Sequence, residues 1–382
     1  MFLAIICWPE MKLAFLRNFT LKKGDSMATD MIGYGLTVPD AIIGEMRKRG
    51  VEVIDVVPQD ETGEPTVAKL KWIYDGYKQV VDLLTKESID YVFIFHIFHH
   101  FSSELRRIIC DTKSKTGLVG YTHGSHWDPS DTFRSIFYPG LELLDLANLR
   151  SLDTIFVVSE YLKQILRTEI SKLNPKVGKE IAVRISVVGL PINTTLIDTY
   201  KTTNKFDQLT VVFNHNLISS KNPIMFVKVM DRLLETYDIQ VIFTRSICED
   251  PEISEALQKF KEKHPKNVSF VEKPGADPYY PILWQSHIQV STATHETLGV
   301  ATLESMHTDT CCILPDHCSY PEITGNYKDC LYGYNEQALY DKMKYVIEDE
   351  STRDRIAGEL KKRVERYHPG PVTARILQSL KY

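Results

Sequence analysis

Short apolar runs alternate along this chain with polar loops and with stretches whose apolar residues recur at helical spacing. Lys12 to Phe15 predicts a first strand within the stretch Met11 to Leu16, and Asn18 to Gly35 is a polar loop ending in Gly33-Tyr34-Gly35. A helix is predicted from about Pro39 to Arg49, and Val51 to Val57 is the next strand. A strand, loop, helix, strand order is a βαβ unit, and its right-handed crossover makes the strands parallel. The alternation continues with a helical stretch at Trp72 to Lys86 and strands at Tyr91 to Phe95, Gly117 to Tyr121, Ile155 to Val158 and Ile185 to Val188. Tyr91 to Phe95 is apolar throughout, as expected of a strand covered on both faces in a parallel sheet.

Gly189-Leu190-Pro191 and the polar run Asp198 to Gln208 separate this series from a second one. Strands are predicted there at Leu209 to Phe213, Gln240 to Thr244, Val268 to Val271, Ile288 to Val290 and Cys311 to Leu314, with amphipathic helices at Pro223 to Leu234 and Val300 to His307. A charged helix, Ser351 to Glu365, is broken by His368-Pro369-Gly370-Pro371 before a last helix, Val372 to Leu380. The expected fold class is therefore α/β, with two Rossmann-like domains built on parallel sheets.

Length agrees, since 382 residues exceed one ordinary core and suit two domains. A net charge of −5 and a pI near 6.2 leave no global basic footprint, so any nucleic-acid contact needs a local patch. The seven cysteines are odd in number, lie mostly in apolar runs and form no C-x-x-C pair. That pattern suits reduced thiols in the cytoplasm and does not suggest a structural zinc. The opening MFLAIICWPEMK is too short for a membrane span and lacks the basic start of a signal peptide.

The most informative stretch is Ile288 to Glu322. Ser291 to Gly299 is a polar turn between a buried strand and a helix, and such a turn binds anions because the free amides of the first helical turn and the helix dipole point into it. Gly299 lets the backbone approach a ligand closely. Glu296 lies in the turn and Glu304 follows eight residues later. A bare phosphate would repel them, whereas hydroxyl groups donate to carboxylates. Phosphate at the amides and hydroxyls at the glutamates together suggest a sugar nucleotide. Taken singly, Glu304 also suits a solvated helix face, and Glu296 an ordinary turn.

Ligands of open α/β sheets collect outside the carboxyl ends of the strands, which places His96 and His123 there. With His99, His100 and His126 they are numerous enough to suggest a metal, but no H-E-x-x-H and no acidic partner at diagnostic spacing accompanies them. His123 suits a polar contact to a ligand or a plain strand-end cap.

The pair of glutamates in HETLGVATLE, followed by a strand and then YPEI, resembles the donor site of retaining family 4 glycosyltransferases with the GT-B fold. STATHETLGVATLES and SYPEI are similar to the glycosyltransferase domain of the tRNA-queuosine mannosyltransferases. The resemblance implies two Rossmann-like domains facing an interdomain cleft: an acceptor domain at 1–190, a donor domain at 191–366, and a C-terminal helix at 367–382 crossing back to the first domain. It implies a UDP- or GDP-linked sugar as donor, with Glu304 on the ribose and Glu296 on the sugar hydroxyls. The amides of Leu298, Gly299 and Val300 would lie on the diphosphate, His123 on the transferred sugar, and Gly35 in the first loop. Family members carry an Arg and, five residues on, a Lys that neutralise the diphosphate. Lys221 matches the lysine, but Asn216 stands where the arginine belongs, and Arg245, just past a neighbouring strand end, is the candidate substitute. Glu296, His123 and Lys221 are the catalytic candidates. No Asp-x-Asp occurs, so neither metal nor cofactor is expected. The acceptor implied is a hydroxyl on a modified base, in queuosine tRNA or hydroxymethylated DNA, with a small molecule or glycan as the alternative. A sugar-nucleotide epimerase and a noncatalytic binding protein remain open as other classes.

Overall fold

The computed structural model describes residues 11–17, 34–57, 65–97, 101–131, 140–245, 250–271 and 276–380. Among the described residues, two six-stranded sheets take up every predicted strand. The first contains β1 (Lys12–Leu16), β2 (Glu52–Val56), β3 (Tyr91–Ile94), β4 (Gly117–Thr122), β5 (Thr154–Val157) and β6 (Ile185–Val187) in the order β2-β1-β3-β4-β5-β6. All its pairings are parallel. Its interior is aromatic: Phe15 stacks on Phe93 at 4.7 Å between centroids, and Phe93 on Phe156 at 5.5 Å.

The second sheet contains β7 (Thr210–Phe213), β8 (Gln240–Phe243), β9 (Val268–Phe270), β10 (Ile288–Val290), β11 (Cys311–Pro315) and an unexpected short β12 (Leu331–Tyr332). Its order, β12-β11-β10-β7-β8-β9, is again wholly parallel. Counted from β7, this is the dinucleotide-binding order 3-2-1-4-5-6. Strand order therefore reverses between β7 and β10, where Gln289 pairs with Val212. Crossovers leave in opposite directions from such a reversal, and the carboxyl ends at a reversal are where ligands of open α/β sheets collect. Val211, Val212 and Phe213 are fully buried, each worth roughly 1.5 to 3 kcal/mol, so β7, on one side of the reversal, is held firmly.

The chain divides into two units, Met1–Pro191 with Pro369–Tyr382, and Ile192–His368. In the first, the C-terminal helix Pro369–Ser379 is tied down by Arg49 Nη2 donating to the Gly370 carbonyl at 3.2 Å and Arg375 Nε donating to that of Val188 at 2.9 Å. This helix begins before the expected Val372, because Pro369 and Pro371 fall in its first turn, where missing N–H groups have no helical partner to lose.

The first helix also starts early, at Tyr34, and runs to Lys48. Gly35, expected in a loop, is helical. Pro39, the expected helix start, lies inside the helix, which forgoes one backbone bond there. Gly33, the polar loop before it, the opening ten residues, His99 and His100 lie outside the described residues.

Candidate functional site

The loops after β7 and β10 are stitched to each other. Thr294 N–H donates to the Ser220 carbonyl at 2.9 Å, and Thr292 Oγ1 donates to that of Lys221 at 2.9 Å. Asn222, in the left-handed region at φ 45°, caps the Pro223–Leu234 helix by accepting from Met225 N–H at 3.3 Å, and Pro223 fills the first helical position. These restraints set Lys221, whose Nζ reaches Glu296 Oε2 at 2.8 Å and the His295 carbonyl at 3.3 Å. Burial raises the Glu296 carboxyl, but the charge and hydrogen bond of Lys221 outweigh it and hold the group below its ordinary range. At neutral pH Glu296 is a carboxylate.

Gly299 closes the second loop at φ 87°, a conformation that a side chain strains, and an added Cβ would meet Glu296 Cγ and Tyr320 Cε1 at 3.4 Å. Its carbonyl accepts from Leu303 N–H at 3.0 Å, which opens the Val300–His307 helix. Leu298 is buried just before it. The turn thus combines a left-handed glycine with a helix N-terminus, the backbone arrangement that favours anions.

Four residues into that helix, Glu304 accepts from Tyr279 OH at 2.7 Å and from Tyr280 OH at 3.3 Å. Burial pushes its carboxyl up to about 7, with Tyr279, Arg245 and Tyr280 pulling the other way. Neither tyrosine was singled out from the sequence. The adjacent pair on the Ala276–Gln285 helix was the available signal, but nothing in its spacing pointed to Glu304.

Arg245 follows Thr244, whose N–H continues the β7–β8 ladder by donating to Phe213 O at 3.2 Å. Its guanidinium lies 5.3 Å from the centre of the Tyr279 ring, and its Nε donates to Asn216 Oδ1 at 3.3 Å. His215, also missed, is buried and accepts from Gln289 Nε2 at 3.1 Å. Burial first, then the charge of Lys221, depresses it to about 3; Glu296 opposes and Arg245 adds to the depression. A neutral imidazole that senses both cations and the carboxylate therefore lies beside the group. The second unit therefore gathers Asn216, Lys221, Arg245, Glu296, Leu298, Gly299, Val300 and Glu304 at one end of its sheet.

Gly35 and His123 belong to the first unit. His123 lies just past β4, with Nε2 2.7 Å from the Phe95 carbonyl and its ring 4.8 Å from that of His96. Since a carbonyl only accepts, Nε2 carries the proton. Burial lowers the imidazole to about 4, against the pull of the Phe95 carbonyl. His126 instead pairs with buried Asp145 at 3.0 Å. Among the described residues no cluster of three or more His, Cys, Asp or Glu side chains is placed to hold a metal ion, and no helix is long and apolar enough to cross a membrane.

Residues 198–363, which contain every one of the second unit's gathered side chains, match the family described as glycosyl transferases group 1. This segment is a glycosyltransferase group 1 domain. A tRNA-queuosine alpha-mannosyltransferase from Drosophila melanogaster is 31% identical over 115 residues, which span 30% of this chain and 30% of that protein. Sucrose-phosphate synthase from Thermosynechococcus elongatus superposes with a TM-score of 0.69 at 11% identity, over 97% of this chain and 98% of that one. A Listeria monocytogenes structure described as a UDP-N-acetylglucosamine 2-epimerase does so with a TM-score of 0.60 at 13% identity, over 97% and 96%. At such identities the likeness shows the fold, which is GT-B, with the glycosyltransferase group 1 domain as its second half.

Proposed function

We propose that this chain is a glycosyltransferase that binds a nucleoside-diphosphate sugar at the carboxyl end of the second sheet and transfers the sugar to an acceptor hydroxyl. The observation that carries the reading is the convergence of two cations, Lys221 and Arg245, with two carboxylates, Glu296 and Glu304, around the glycine turn that opens the Val300–His307 helix. Cations and helix amides suit the diphosphate; carboxylates already held by donors suit hydroxyls.

In this reading Glu304 holds the ribose and Glu296 the sugar hydroxyls. Lys221, Arg245 and the amides of Leu298, Gly299 and Val300 stabilise the negative charge that grows on the leaving diphosphate, the term that commonly dominates catalysis. The reaction retains the anomeric configuration, with the donor phosphate taking the acceptor's proton, and needs no metal ion. The acceptor is a hydroxyl on a modified base, a choice that rests on the 115-residue similarity to the queuosine enzyme.

The epimerase reading draws on the structural likeness to the Listeria protein. Incubation with a panel of radiolabelled sugar nucleotides, alone and with tRNA or hydroxymethylated DNA, separates the two. Transfer of label to nucleic acid with release of nucleoside diphosphate is the expected result. Conversion of the donor sugar without acceptor supports the epimerase, and transfer to a small molecule alone overturns the nucleic-acid assignment.

A further inference from the structure

The hydrogen bonds around Glu304 form a closed ring. Asn214 Nδ2 donates to the Ala301 carbonyl at 2.8 Å and to Ser305 Oγ at 3.0 Å, both on the helix that carries Glu304. The same nitrogen approaches Tyr279 OH at 3.2 Å, and Tyr279 OH lies 2.7 Å from Glu304 Oε2. The amide's two hydrogens are shared among these three acceptors, the phenol being the most distant, and since an amide nitrogen cannot accept, the phenol's own proton goes to the carboxylate. Burial, with the nearby Glu304 charge adding to it, keeps that phenol well above its ordinary range, so it stays a donor at every physiological pH. Tyr279 is 5% exposed, which leaves its hydroxyl inside the protein. The face of its ring carries Arg245.

We infer that Tyr279 is a positioning residue, which aims the Glu304 carboxylate at a nucleotide ribose and links it to Arg245 without touching the ligand itself. This rests on the reading of Glu304 as the ribose ligand. A carboxylate offers roughly four acceptor directions. Tyr279 takes one on Oε2 and Tyr280 one on Oε1, which leaves one on each oxygen for the two adjacent hydroxyls of a ribose. Without the Tyr279 bond only the longer Tyr280 bond restrains the carboxylate, and its proton is held more tightly. The groups that act on its charge are Tyr279 and Tyr280 from the Ala276–Gln285 helix and Arg245 from beyond β8. Tyr200, bonded to Asp277, lies behind Tyr280.

The test pairs two measurements on the full chain. Glu304 is titrated by carbon-13 NMR of its carboxyl in the free protein, and UDP and GDP affinities are measured by calorimetry from pH 6 to 9, for the wild type, Tyr279→Phe and Tyr280→Phe. Phe keeps the ring under Arg245 and removes only the hydroxyl. Tyr279→Phe is expected to move the Glu304 midpoint to higher pH and weaken nucleotide binding about tenfold at pH 7, the scale of one hydrogen bond to a charged group. The loss recovers as the pH passes the new midpoint, which a general loosening of the fold would not produce. Tyr280→Phe, losing a longer bond, shifts less. Should Tyr279→Phe not fold, Asn214→Ala releases the same phenol and is expected to shift the midpoint the same way. A midpoint and affinity equal to the wild type in a protein whose Glu304→Gln variant binds poorly overturns the positioning role alone. A wild type that binds neither nucleotide overturns the donor reading and this inference with it.

Discussion

Arg245 Nε donates to Asn216 Oδ1 across 3.3 Å. The two residues lie 29 positions apart, on loops after adjacent parallel strands. The short Asn216 side chain leaves room for a guanidinium from the next strand end. In the proposed reading this guanidinium supplies the positive charge expected of an arginine at position 216, and the Asn216 amide holds it.

If Arg245 takes over that charge, Arg245→Ala lowers turnover by about 10² to 10³, the cost of losing one electrostatic stabiliser. Asn216→Arg in the same background restores part of it. Steady-state kinetics with the preferred donor check both, and wild-type turnover in Arg245→Ala excludes the arginine from the reaction.

Glu304 links function to stability. Its carboxyl titrates at about 7 in the folded chain against an ordinary 4.5, so the folded state holds the proton more tightly than the unfolded state. Stability therefore falls as pH rises from about 4.5 to about 7 and levels off above that. Glu304→Gln removes this penalty. Denaturant melts are expected to show the variant more stable than the wild type by about 1 to 3 kcal/mol at pH 8, with the gap closing towards pH 5. A gap that does not vary with pH means that Glu304 does not titrate between the two.

The strands were legible because a buried parallel strand is rich in apolar residues, and among the described residues each predicted strand formed. Strand direction then placed Arg245, Lys221 and Glu296 at one sheet end, since loops following parallel strands emerge together. Tyr279 and Tyr280 escaped notice because they reach Glu304 from another helix, 25 and 24 residues away, and no periodicity encodes that contact. His215 sits one residue past a buried asparagine in a polar loop, where sequence says nothing about burial. Gly35 was misplaced because a proline in a helical pattern usually marks the start, and here the helix continues one turn upstream of it.

Metal dependence follows from how the charge is supplied. In the proposed reading the two cations are Lys221 and Arg245, and Glu296 is committed to Lys221. Turnover is expected to be the same in EDTA as in Mg²⁺. Loss of activity on chelation, restored by Mg²⁺ or Mn²⁺, reverses the assignment.

The Lys221–Glu296 pair makes a prediction in which binding and catalysis move in opposite directions. Both side chains are largely enclosed, 18% and 15% exposed, so water screens the pair weakly. In the empty site Lys221 is neutralised by Glu296, and an arriving diphosphate must share the lysine with a carboxylate that repels it. Glu296→Gln removes the competitor and the repulsion while keeping the shape. Bare UDP or GDP, which has no sugar for Glu296 to hold, is therefore expected to bind the variant about five- to tenfold more tightly, on the order of 1 kcal/mol, and to raise its melting temperature by more than it raises that of the wild type. Transfer from the intact sugar nucleotide falls in the same variant, because the charged acceptor for the sugar hydroxyls is gone. Calorimetry with the bare nucleotide and kinetics with the full donor read the two effects separately. Unchanged or weaker nucleotide binding in Glu296→Gln means that Lys221 does not meet the diphosphate.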